Sequence, residues 1–246
     1  MRPKIGVFDF TGCEGCELQI LNLEDEILDL LKLVEPVNWR EAMSERGDDY
    51  QIALVEGAIT TPHEIERLKS IREKAQILVA LGACAHLGGI NCLKNHFDQA
   101  DVVRQVYGEG ARYFETIPAR PLSAVVKVDY AIPGCPIDKR EFLEVIKALL
   151  IGKKPPLPSY AVCVECKLAD NPCVFDQGMT CLGPVTRAGC GAICPSYGNR
   201  CEGCRGLVEE PNLNGYRAVL TERGLTTEDV LAQFRLFEGC LEVAKS

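Results

Sequence analysis

Fourteen cysteines occupy 246 residues, and their spacing indicates what chemistry they can do. Cys13 and Cys16 form a C-x-x-C, while Cys84 and Cys135 stand alone far downstream. Eight more follow as Cys163-x2-Cys166-x6-Cys173-x7-Cys181 and Cys190-x3-Cys194-x6-Cys201-x2-Cys204. Thiolates are ligands for soft metals, and sets of four suit an iron–sulfur cluster or a tetrahedral zinc ion. Met1-Arg2-Pro3-Lys4 leads directly into a strand-like segment with no export signal, so the chain is expected to be cytoplasmic. In a reducing compartment such thiols bind metal rather than pair. Cys92 and Cys240 fall outside the three sets of four and are expected to be small buried hydrophobes.

The elements that must position these thiols divide the chain in two. Ile5 to Phe10, Ile52 to Val55, Ile77 to Leu81 and Val125 to Ile132 read as strands, the middle two being wholly apolar and suited to burial on both faces. Between them Ile20, Leu23, Ile27, Leu30 and Val34 recur at helical spacing. Thr61-Pro62-His63-Glu64 supplies a capping box with proline at the first helical position, and Asp138 with Glu141 forms a second cap-like pair before Phe142, Val145, Ile146 and Leu149. Alternating strands and helices predict an α/β fold with a doubly wound parallel sheet. Lys153-Lys154-Pro155-Pro156-Leu157-Pro158 reads as a stiff linker, giving domains 1–154 and 155–246. The second half has little apolar material for a core and should be organised by what its cysteines bind. A last helix, capped by Thr226 with Asp229 and carrying Val230, Leu231, Phe234 and Phe237, is expected to pack back onto the protein.

This arrangement puts Cys13, Cys16, Cys84 and Cys135 past the carboxyl ends of strands, where the loops of an open sheet diverge and ligands bind. Gly12, Gly15, Gly82 and Gly134 let backbone N–H groups approach sulfur, which favours a negatively charged iron–sulfur cluster over zinc. A thioredoxin-like redox pair would leave Cys84 and Cys135 unexplained. In the second half the spacing leaves iron–sulfur and zinc both open. A net charge of −8 argues against nucleic acid, and no apolar run reaches the length of a membrane span.

Several motifs carry a family resemblance that covers nearly the whole chain. Thr11-Gly12-Cys13-Glu14-Gly15-Cys16, Val55-Glu56-Gly57-Ala58, Leu81-Gly82-Ala83-Cys84-Ala85 with Gly88-Gly89-Ile90, and Ile132-Pro133-Gly134-Cys135-Pro136 resemble the proximal-cluster motifs of nickel–iron hydrogenase small subunits. The run from Cys181-Leu182-Gly183-Pro184 to Cys201-Glu202-Gly203-Cys204-Arg205-Gly206 is similar to the cytoplasmic multimeric branch, which includes sulfhydrogenases and the NAD(P)-linked and F420-non-reducing hydrogenases. The resemblance implies a flavodoxin-like first domain followed by a small cysteine-rich domain and a C-terminal helix. It also implies three [4Fe-4S] clusters: proximal on Cys13, Cys16, Cys84 and Cys135, distal on Cys163, Cys166, Cys173 and Cys181, and medial on Cys190, Cys194, Cys201 and Cys204. Cys163 stands where many periplasmic members have histidine, Cys194 supplies a fourth medial ligand, and Ile137 replaces a second proline. The nickel–iron centre would lie on a large subunit, and electrons would pass on to flavin- or iron–sulfur-containing partners. The rivals are a complex-I-type cluster subunit, which has adjacent cysteines at the first motif and lacks the eight-cysteine module, and a zinc-stabilised scaffold.

Other polar residues have simpler expected roles. Glu14 and Glu17 are read as carboxylates favoured at a helix start, Arg187, Arg205 and Lys167 as solvated cations, and His86 as a loop or interface histidine. His63 and His96 have no metal-like partner in the sequence.

Overall fold

A computed structural model describes residues 2–243, the side chains of residues 227, 229 and 241–243 excepted. Strands β1 (Lys4–Asp9), β2 (Glu35–Trp39), β3 (Ile52–Glu56), β4 (Ile77–Leu81) and β5 (Tyr130–Ile132) form one sheet in the order β2-β1-β3-β4-β5. Every neighbouring pair is parallel. This is the flavodoxin-like order, in which successive connections leave opposite faces of the sheet beside β1 and β3.

Among the described residues the sheet is accompanied by α-helices α1 (Gly15–Leu21), α2 (Asp25–Leu33), α3 (Pro62–Lys74), α4 (Gly82–Leu87), α5 (Gln99–Tyr107), α6 (Lys139–Leu150), α7 (Val162–Leu168), α8 (Ile193–Ser196), α9 (Leu213–Glu222) and α10 (Thr227–Val243). Side chains alternate across a strand, so β1, β3 and β4 feed two cores. Ile5, Val7, Leu54 and Val79 pack with Ile20 of α1 and Phe142 and Ile146 of α6. Phe8, Ala53, Val55 and Leu78 pack on the other face with Leu68 and Ile71 of α3. Each fully buried large apolar side chain contributes about 1.5–3 kcal/mol. The expected capping box is present: the Thr61 side chain accepts from the Glu64 N–H while the Glu64 carboxylate accepts from the Thr61 N–H. Asp138 caps α6 by accepting from the N–H groups of Arg140 and Glu141.

Several elements differ from the sequence reading. The helical pattern from Ile20 to Val34 is two helices, broken where Glu24 adopts φ 57°. β2 was hidden by Pro36, which an edge strand tolerates because it needs no complete ladder. The expected strand from Val125 shrinks to Tyr130–Ile132, because Val125, Val126 and Val128 pack against the second core from a loop. Asp129 anchors that loop, its N–H donating to the Leu78 carbonyl and its carboxylate accepting from the Leu78 N–H and from Arg72.

The second half holds more core than its composition suggests. Val162, Val174, Phe175, Leu182 and Val185 pack with Tyr216 and Leu220 of α9 and Val230 of α10. As expected, α10 returns to the first half, packing against α4 and residues 89–96. Asp229, assigned to its cap, lies outside the described side chains. Cys92 and Cys240 are not the separate buried thiols expected. A disulfide joins them, with Cα atoms 5.4 Å apart, where α10 crosses the segment after α4. The sequence hid this contact because it closes across 148 residues.

Two expectations concern α10. Cysteine alkylation after anaerobic denaturation should label two further sites once reductant is added, and Cys240→Ser should lower the thermal midpoint by the equivalent of roughly 2–5 kcal/mol. Glu238 is buried, neither of its carboxylate oxygens has a hydrogen-bond partner among the described residues, and burial raises its pKa from 4.5 to about 7. The folded state therefore binds this proton more tightly than the unfolded chain, and the stability it lends below pH 4.5 is lost as pH rises to about 7. Thermal midpoints should show Glu238→Gln close to the parent at pH 4.5 and more stable at pH 8, by about 3 kcal/mol.

Candidate metal centre

The sheet's carboxyl edge gathers the first four cysteines from three loops. Cys13 and Cys16 follow β1 into α1, Cys84 lies in α4 directly after β4, and Cys135 lies between β5 and α6. They are neighbours: after burial, the nearby thiols of Cys135 and Cys13 help push the Cys84 thiol up to about 12. Burial likewise raises Cys16, with contributions from Glu56, Cys84 and Cys135. Glycines make room for the sulfurs. A side chain on Gly82, at φ +77°, would collide with the Cys16 sulfur, and a Cβ on Gly89 would stand 3.1 Å from that of Cys84.

Two acids bracket this loop, and sequence reasoning gave neither its actual role. Glu56 is 3% exposed and its carboxylate accepts from the backbone N–H groups of Cys16 at 3.2 Å and Glu17 at 2.8 Å, fixing the start of α1. Its place in Val55-Glu56-Gly57-Ala58 was the available signal. Glu17 stands in the first turn of α1, as read from the sequence, but it is buried, accepting from the Trp39 indole at 2.8 Å. Burial pushes its pKa up to about 7. Glu14, in contrast, faces outward to Arg40 at 2.8 Å.

The eight later cysteines form two adjoining groups. Cys163, Cys166, Cys173 and Cys181 line one pocket, and burial followed by the other three thiols pushes Cys163 up to about 12. Cys190, Cys194, Cys201 and Cys204 line a cavity of about 560 Å³, which Cys135 of the first set also lines. Burial raises Cys204 to about 12, opposed by the backbone N–H of Cys135, with Cys190, Cys135 and Cys194 nearby. At the far side the Cys201 N–H donates to the Cys181 sulfur at 3.3 Å. The three sets therefore stand in a row, with Cys135 beside Cys204 and Cys201 beside Cys181.

Surrounding helices hold these loops. Glu165, between Cys163 and Cys166, accepts from the N–H groups of Gly189 at 2.8 Å and Ala192 at 3.2 Å. The Tyr216 hydroxyl of α9 donates to the Cys181 carbonyl at 3.1 Å, and the Gln233 amide of α10 donates to the Cys201 carbonyl at 2.7 Å. Arg205, expected as a solvated cation, is 1% exposed and ion-paired to Glu141 at 2.6 Å. His86 sits in α4, where burial and then Arg187 and Arg205 depress its pKa to about 4.

The donor chemistry fits an iron–sulfur cluster. Cys16, Cys181 and Cys201 are buried, while Cys13, Cys135 and Cys194 are exposed. The buried thiols ionise only when a cationic centre offsets the cost, and the glycines leave sulfur open to backbone N–H groups. A single zinc ion would require all four sulfurs within about 2.3 Å of one point.

Residues 13–149 match the family described as the NADH ubiquinone oxidoreductase 20 kDa subunit. Sulfhydrogenase 2 subunit delta of Pyrococcus furiosus is 39% identical over 95% of this chain and 98% of its own length. The chain belongs to the small subunits of multimeric nickel–iron hydrogenases. A subunit of the vhu F420-non-reducing hydrogenase of Methanocaldococcus jannaschii is 36% identical, covering 85% of this small subunit and 84% of its own chain. Among solved structures, a chain of an NAD+-reducing nickel–iron hydrogenase in the H2-reduced state superposes with a TM-score of 0.59 at 26% identity, over 64% of this subunit and 96% of that chain. The family model takes in the complex-I-type rival, while the two relatives, both similar over most of the chain, are hydrogenase subunits.

Gly82→Ala tests the crowding around Cys16. The variant small subunit should retain less iron than the parent, read by metal analysis, because the new side chain displaces the Cys16 sulfur.

Proposed function

We propose that this small subunit is the electron relay of its hydrogenase, carrying electrons between the nickel–iron centre of a large subunit and flavin- or iron–sulfur-containing partners. In this reading Cys13, Cys16, Cys84 and Cys135 hold a proximal [4Fe-4S] cluster, Cys190, Cys194, Cys201 and Cys204 a medial one, and Cys163, Cys166, Cys173 and Cys181 a distal one. Such clusters supply one-electron redox chemistry. The chain's own residues bury the sites, space them and direct N–H groups at their sulfurs.

The observation that carries the reading is the row itself. Twelve cysteines fall into three groups that touch in sequence, the first through Cys135 to the second and the second through Cys201 to the third. One end of the row lies at the sheet's carboxyl edge, which we assign to the large-subunit interface. The opposite end is assigned to the next electron carrier. The same reading divides the chain into domains 1–154 and 155–246 and places it in the cytoplasm. Among the described residues no helix is long and apolar enough to cross a membrane.

The purified small subunit, free of its partner, should contain about twelve irons with matching acid-labile sulfide and neither consume nor evolve H2. Stoichiometric zinc, or H2 turnover with the large subunit verified absent, would reject the assignment. Within the medial set, Cys194→Pro should convert a four-iron into a three-iron EPR signal while the other cluster signals persist. An unchanged spectrum and iron count would remove Cys194 from the ligands.

A further inference from the structure

The seam between the first and second cysteine groups is closed by one buried cation. Arg205 follows Cys204 directly and spends its donors on three separate segments. Its Nε donates to the Ala188 carbonyl at 2.9 Å, Nη1 to the Pro133 carbonyl at 2.8 Å and Nη2 to the Glu141 carboxylate at 2.6 Å. Pro133 lies two residues before Cys135, and Ala188 two residues before Cys190. One planar group thus binds the backbone leading to a cysteine on each side of the seam, and anchors both to α6. The space is tight, because any side chain on Gly189 would collide with the Arg205 guanidinium and the Glu141 carboxylate.

We propose that Arg205 is a positioning residue which, paired with Glu141, fixes the proximal and medial sites relative to one another and sets their reduction potentials through its buried charge. The inference rests on the cluster assignment above. Three divergent acceptors need the rigid fork of a guanidinium, and a lysine ammonium, being a compact point charge, cannot reach all three. A fixed positive charge in a poorly screened interior stabilises the state with one more electron. Removing it should lower the potentials of the adjacent clusters. Removing its negative partner should raise them.

The test is an EPR-monitored redox titration of the purified hydrogenase complex, with iron and sulfide counted for each variant. Glu141→Gln keeps an acceptor for Nη2 and discards the charge. It should load fully and shift the proximal and medial signals to higher potential, moving the distal signal least. Arg205→Gln should shift the same two signals downward. Arg205→Lys keeps the charge, so its potentials should stay nearer the parent's while the magnetic splitting between reduced proximal and medial centres changes. Arg205→Gln strands two carbonyls and a carboxylate, so Glu141→Gln is the deciding variant. Three signals in the parent with unmoved potentials in fully loaded Glu141→Gln, or an equal shift at the distal signal, would overturn the role of Arg205 alone. A parent complex lacking the three signals would instead overturn the cluster assignment.

Discussion

A thiol removed from water cannot ionise without positive charge beside it, and this constraint organises the chain. Burial holds the thiols of Cys84, Cys163 and Cys204 near 12, and raises Cys16 and Cys201 as well. On the cluster assignment proposed above, metal binding and deprotonation would be a single event, and loading would supply folding free energy to the loops that carry these cysteines. The second half depends on this most. Its core of Val162, Val174, Phe175, Leu182 and Val185 is small, and its cysteine loops are otherwise fastened by contacts from Glu165, Tyr216 and Gln233.

The first half solves the same problem with a sheet. Parallel strands β1, β4 and β5 end at one edge, so residues distant in sequence arrive together without a dedicated core beneath them. The edge must still be shaped locally. Glu56, at the end of β3, turns its carboxylate onto the first N–H groups of α1, where the helix dipole and two hydrogen bonds stabilise negative charge. The cysteine loop is thereby held from below by a strand that contributes no cysteine.

The legible features were those with a local chemical cause. The capping box at Thr61, the apolar runs of β3 and β4 and the cysteine spacing all depend on neighbours within a few residues, and each was read from sequence. What escaped depends on distant partners. Val125, Val126 and Val128 are apolar like a strand because they face the core, yet no ladder reaches them. Arg205 reads as a surface cation until Glu141, Pro133 and Ala188 surround it. Cys92 and Cys240 become a pair only after α10 folds back across the molecule.

The linear order of the three groups follows from one short motif. Cys201 and Cys204 are three residues apart, too close to belong to distant sites, yet they have different neighbours: Cys201 donates its N–H to Cys181, while the sulfur of Cys204 meets the N–H of Cys135. Gly203 turns the chain between them at φ +82°, a conformation that a side chain would strain and where a Cβ would also crowd Leu182. A reversal at that glycine lets one C-x-x-C touch the group on either side. The second group therefore touches both of the others. The two junctions also differ in charge. Arg205 lies at the first junction, whereas at the second the Cys201 N–H meets the Cys181 sulfur with no buried cation of comparable enclosure among the described residues. The two junctions are therefore electrostatically unequal by construction, and that inequality is built from residues of this chain alone.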